Sequence, residues 1–296
     1  STSADSLGLD VDDDSTVSSL TIANITPISI ASGKTLSGAI TVTAGSIKLG
    51  EAGTLASTVT MSGGTLDADE SLTLSGALTQ SGAITIDVAE DKTLTYSGAA
   101  LSLGAYTLTM SGEGTFSNTN DLDLNNASSK LLLDSITVAK VSTSLASLGL
   151  DVDDDSTVSS LTVANTTPVS IASGKTLSGA ITVTAGSIKL GEAGTLGSTV
   201  SMSGGTLDAD ETLTLSGALS NSDDITIDVA SGKTLTYSGA ALSLGAYTLT
   251  MSGEGTFSNT NALVLNNRDS KLLLGSSITV SSVSTSADSL GLDVDD

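Results

Sequence analysis

The chain has 296 residues and a formal net charge of −23, from 33 acidic against 10 basic side chains, and it contains no cysteine, histidine or tryptophan. This excludes a disulfide scaffold, Cys/His zinc sites and histidine-dependent catalysis, and it makes nucleic-acid backbones and anionic membrane surfaces poor partners. No run approaches the roughly 18 apolar residues of a membrane span and no basic, apolar-cored leader opens the chain, so the expectation is a soluble piece, processed or excised from something longer.

In chain order, the first feature is Ser6-Leu7-Gly8-Leu9-Asp10-Val11-Asp12-Asp13-Asp14-Ser15, a short apolar alternation running into four carboxylates. Short alternating strands come next, each bounded by Gly, Asn, Asp or Ser turns: Ile40-Thr41-Val42-Thr43, Ser46-Ile47-Lys48-Leu49, Gly53-Thr54-Leu55, Val59-Thr60-Met61, Gly64-Thr65-Leu66 and Leu72-Thr73-Leu74. Cutting before each recurring apolar-Thr-apolar strand gives seven segments per half, the longest being 136–160, which holds the second acidic run.

From Ser142 the chain starts again. The run Ser6 to Val17 returns unchanged as Ser147 to Val158, and about 21 positions differ between 1–141 and the second copy, with one inserted serine near Ser276. Residues 284–296 are identical to 1–13. The domain reading is therefore repeat A, 1–141; repeat B, 142–283; and the start of the next repeat, 284–296.

A unit of about 20 residues cannot bury its own apolar face, so it must stack on its neighbour, and three strands per unit make a roughly triangular coil. The expected fold is all-β: a parallel β-solenoid of about 20 residues per coil and about 14 coils, stacked at about 4.8 Å. Ile40, Val42, Ile47, Leu49, Leu55, Val59, Met61, Leu66, Leu72 and Leu74 should face inward, with Thr41, Thr43, Lys48, Thr54, Thr60 and Thr73 outward. A tandem of β-sandwiches is the rival, but a Greek key gives no reason for so short and regular a beat. Segments such as Ser62-Gly63-Gly64-Thr65-Leu66 and Leu74-Ser75-Gly76-Ala77-Leu78 resemble the β-helical passengers of autotransporter and filamentous-haemagglutinin-like surface proteins. That resemblance implies secretion and a surface role and carries over no functional residue.

Four candidate sites stand out. Asp10, Asp12 and Asp14, repeated as Asp151, Asp153 and Asp155, have the D-x-D-x-D spacing of a calcium loop, although Thr21 and Thr162 stand where a bidentate Glu would complete one. The alternative is a solvated acidic turn in the longest coil. Thr-x-Thr pairs (Thr41/Thr43, Thr58/Thr60, Thr93/Thr95, Thr107/Thr109) suggest ice binding, but they open, close or sit midway along coils and so should not share a column; Thr is also an ordinary strand residue. Asp67, Asp69 and Glu70, duplicated as Asp208, Asp210 and Glu211, could gather acids for glycoside cleavage, yet an active site normally occurs once. Asn125-Asn126 and Asn266-Asn267 read as amide ladders, and Phe116, Phe257 and the four tyrosines as corner fillers.

The functional expectation is a non-enzymatic structural protein, extracellular or on the cell surface, with no required cofactor beyond the calcium option. Its partner would be itself, end to end, through neighbouring repeats or subunits. The alternative is an adhesin stalk or surface-binding module with a cell-surface target.

Overall fold

The computed structural model describes residues 8–275, 277–286 and 288–294. All regular structure among them is β-strand, and the strands pair in parallel as a β-solenoid of about fourteen turns. The chain divides between Ser142 and Thr143 into two compact units.

In the first unit, one face of the coil is the ladder Leu9–Val11, Thr26–Ile30, Ser46–Gly50, Thr65–Ala68, Ile84–Val88, Thr107–Ser111 and Lys130–Leu133. We call it the base face. Its register runs from Leu9 to Ile28, Ile28 to Leu49, Leu49 to Ala68 and Ala68 to Val88, then from Ile84 to Leu108 and Leu108 to Leu131. The first four steps are short and the last two are longer. The acidic turn is thus not in the longest coil: the steps that hold it, Leu9 to Ile28 and Leu150 to Val169, are among the short ones. The extra length lies between Ile84 and Leu131.

After the base strand, each coil turns through a second and then a third face. Early coils cover both with one long bent strand, as in Ser15–Ile22 and Thr35–Val42; later ones divide it, as in Thr54–Leu55 with Thr58–Met61. The bend is a bulge, where the register steps from Val17 opposite Gly38 to Leu20 opposite Ile40. Only glycine fits there: Gly38 has φ of 125° and a Cβ would lie 1.7 Å from the Val17 carbonyl oxygen. Gly179 repeats this in the second unit, at 1.9 Å from the Val158 oxygen.

Alternation places the core as the sequence implies. All ten residues expected inside are buried, and the six expected outside are exposed or half-exposed. Each inward Leu, Ile or Val contributes about 1.5–3 kcal/mol on burial. Tyr96 stacks on Phe116, and Tyr237 on Phe257, with ring centroids 5.9 Å apart. These four rings lie fully inside the coil, whereas Tyr106 is partly exposed.

The second unit repeats the base face as Gly149–Val152, Thr167–Ile171, Ser187–Gly191, Thr206–Ala209, Ile225–Val229, Thr248–Ser252, Lys271–Leu274 and Gly291–Val294.

Candidate functional site

The outer faces differ in chemistry. On the base face the outward column of coils three to six is Lys48, Asp67, Asp87 and Ser111. Lys48 Nζ reaches Asp67 at 3.2 Å and Asp69 at 3.7 Å, and the Ser111 hydroxyl donates to Asp87 Oδ1 at 2.5 Å. Glu70 turns away to Lys92, at 2.7 Å. Lys189, Asp208, Asp210, Glu211 and Lys233 repeat the pattern. Burial pushes the Asp67 carboxyl above the ordinary aspartate range, outweighing the Lys48 hydrogen bond that pulls it down, while nearby Asp69 and Asp87 add repulsion. Lys48 is raised by the same hydrogen bond to Asp67 and by both carboxylates. Asp67, Asp69 and Glu70 are therefore divided between two lysines and engaged in ties from coil to coil.

The acidic turns do similar work. Asp13 Oδ1 receives Lys34 Nζ at 2.8 Å and the Asp14 N–H at 2.9 Å, and Asp14 Oδ1 accepts the Thr35 N–H at 2.9 Å. The Lys34 hydrogen bond, then that of Asp14, holds Asp13 below its usual value. Asp154 and Asp155 bind Lys175 and the Thr176 N–H in the same way. Asp10 lies on the base face opposite Ser29, as Asp151 lies opposite Ser170. Asp12 is exposed in the bend between strands and Asp153 stands in the corresponding bend. Among the described residues no group of three or more acidic side chains is gathered as a metal ion would require.

The second face carries neither sign of charge along its strands. Its outward column runs Thr35, Thr54, Thr73, Thr95 and Ser117, with a parallel column of Thr93, Thr115 and Thr137. The third face has Thr21, Thr41, Thr60 and Thr79 in line. The four Thr-x-Thr pairs do not all share one column: Thr41/Thr43 and Thr58/Thr60 lie together on the third face, with Thr41 opposite Thr60, whereas Thr93/Thr95 lie on the second face and Thr107/Thr109 on the base face. The register from coil to coil also brings threonines from neighbouring strands into these columns.

Two inward amides mark the irregular place in each unit. Among the described residues, the third-face ladder has no strand pairing between Leu78–Gln80 and Leu101–Ser102, where the coil lengthens. Buried Gln80 bridges this gap, its Nε2 donating to Leu103 O at 2.8 Å, while the Tyr96 hydroxyl accepts the Leu78 N–H at 3.1 Å and donates to Ala99 O at 2.7 Å. Asn221 and Tyr237 repeat the arrangement. Gln80 Oε1 and Asn221 Oδ1 are buried without a partner. Two coils on, Asn118 Nδ2 donates to Asn120 O and Lys140 O, and its Oδ1 accepts the Lys140 N–H. Asn125 and Asn126 do not stack as an amide ladder: Asn125 Oδ1 takes the Gly104 N–H of the preceding coil, and Asn126 binds its own turn at Ser128 and Ser129.

The sequence reading missed the lysine ties and the bridging amides. The ties had a signal, because Lys48 and Asp67 stand one coil length apart in the chain and so fall side by side. Gln80 had a weaker one, a polar residue in an inward phase.

Comparison with protein families, with curated proteins and with solved structures yields no match. The chain is placed by its architecture: a tandem-repeat parallel β-solenoid.

Proposed function

We propose that this chain is a structural protein, a repeat segment of a long β-solenoid that serves as an extracellular or cell-surface fibre and grows by covalent repetition or by end-to-end stacking. The observation that carries this reading is the division between interior and exterior. Both units keep the same inward columns and the same lysine ties, while turns and outer positions change freely, as at Glu90 and Ser231 or Asp123 and Val264. A fibre needs a core that stacks and tolerates any soluble exterior. Immunogold labelling of the producing cells with antibody against this chain tests it. Label along fibres outside the cell is expected; label confined to the cell interior would overturn it.

The threonine columns favour a second reading, a surface-binding module that presents an uncharged, regular face to a periodic target such as ice. Ice-affinity partitioning of the chain beside a Thr54→Lys/Thr95→Lys variant tests that reading, which requires enrichment of the first and not of the second. In either setting calcium at Asp10, Asp12 and Asp14 would act as a stabiliser. A chelator that leaves the melting temperature unchanged would remove it from the account.

A further inference from the structure

Each unit holds an amide oxygen that is buried and that no protein donor meets. Gln80 is 7% exposed, and its Nε2 is committed to Leu103 O across the break in the third-face ladder, while its Oε1 has no hydrogen-bond partner. In the second unit Asn221 Nδ2 donates to both Asp223 O and Leu244 O, and Asn221 Oδ1 is buried and unmet in the same way. Turning either amide over solves nothing, because Leu103 O and Leu244 O are acceptors and would then face an oxygen. The tyrosine hydroxyls at the break are also committed, Tyr96 donating to Ala99 O and Tyr237 to Ala240 O. The backbone beside the amides points into the break as well. Ala77 O accepts the Val59 N–H and the Ser81 N–H donates to Met61 O, so Ala77, Thr79 and Ser81 turn their peptide groups to the preceding coil. Leu78 and Gln80, alternating with them, turn theirs to the break, where the Leu78 N–H meets the Tyr96 hydroxyl. Ala218, Ser222 and Leu219 repeat this in the second unit.

We propose that the ladder break in each unit is a binding site for one water molecule, held by the amide oxygen of Gln80 in the first unit and of Asn221 in the second. A buried acceptor without a hydrogen bond is costly, and a buried water needs two to four polar partners. The amide oxygen receives one of the water's protons, and the peptide groups of Leu78 and Gln80, or of Leu219 and Asn221, supply the other partners. All of these groups are neutral, which suits a neutral ligand rather than an ion. The two amides differ by one methylene, yet both keep the donor tie across the break and both leave the acceptor unmet. The unmet acceptor therefore belongs to the break itself and not to the length of one side chain. Water takes over the connection between coils where strand pairing lapses, and this site is independent of whether the chain serves as a fibre.

A crystal structure of the unaltered chain, at a resolution that shows ordered water, tests the proposal. A water within about 2.7–3.2 Å of Gln80 Oε1, and another so placed at Asn221 Oδ1, is the expected result. Either acceptor found dry, or satisfied by a protein donor, overturns it. Oxygen-17 relaxation dispersion gives a second readout, because it counts long-lived internal waters in solution. Gln80→Met combined with Asn221→Leu removes both acceptors while nearly keeping side-chain volume, and this variant should lose two long-lived waters relative to the unaltered chain. A smaller loss in a variant that still melts cooperatively overturns the proposal, and if the variant does not fold the crystal structure decides alone.

Discussion

The two units have nearly one interior and two exteriors. Of the positions that differ, Ile22 and Val163, Ile28 and Val169, and Gln80 and Asn221 point inward, and each swap keeps the polar or apolar character of its site. Outside, charge appears and disappears: Gly82-Ala83 against Asp223-Asp224, Asp121 against Ala262, Ala127 against Arg268 and Lys140 against Ser282. The coil is specified by its inward columns and bulge glycines, and its surface need only stay soluble and tied where carboxylates crowd.

The comparison breaks most sharply at the aromatic pair. Phe116→Ala should cost about 3–5 kcal/mol, as for a large core side chain replaced by a small one. Chemical denaturation checks this, and a cost below about 1 kcal/mol would mean that the stacked rings do not hold the longer coils. Asn118→Ala comes next. It leaves the Lys140 N–H and C=O without their side-chain partner, so a loss of about 1–3 kcal/mol is expected, against almost none for Asp121→Ala, which introduces the residue already present as Ala262. Equal losses in the two variants would show that the amide bridge adds nothing.

Acidification sharpens the contrast from the outside. The raised pKa of Asp67 and Asp208 means that their ionised forms are disfavoured by the folded state, a penalty present above the folded pKa and removed as pH falls through it. Relief of the −23 net charge acts in the same direction. Asp13 and Asp293 have lowered values and act oppositely, losing their contribution as pH falls through the carboxylate range, but both are exposed and screened. The melting temperature should therefore rise as pH is lowered from neutral toward the upper edge of the carboxylate range. A monotonic fall would show that the lysine ties outweigh the burial of Asp67. The smallest effect is predicted for Glu90→Ser/Asp91→Gly, which writes the second unit's turn into the first and should change stability by no more than about 0.5 kcal/mol on denaturation.

Much of the fold was legible in the sequence because a strand's side chains alternate with period two and a coil's repeat with its circumference. Ile40, Val42, Ile47 and Leu49 needed no more than that. What was not legible depends on which residues become neighbours across coils. Cutting the chain at its strands places the longest segment at the acidic turn, whereas the register puts the added length between Ile84 and Leu131. That displacement hides the ladder break at Gln80, and with it the reason for an inward amide. The threonines look scattered along the chain for the same reason, since a column such as Thr35, Thr54, Thr73 and Thr95 exists only once the unequal steps from coil to coil are known. The acidic run suggests a calcium loop by spacing alone; two of its four carboxylates, Asp13 and Asp14, reach Lys34 and the Thr35 N–H of the next coil, partners that stand about one coil further along the chain.

The most direct test of the account is electron microscopy and diffraction of the native material. Filaments much longer than one chain, with an axial repeat of about 4.8 Å from coils stacked along the filament, are the predicted result. Dispersed particles no longer than a single chain, with no such repeat along any common axis, would contradict it.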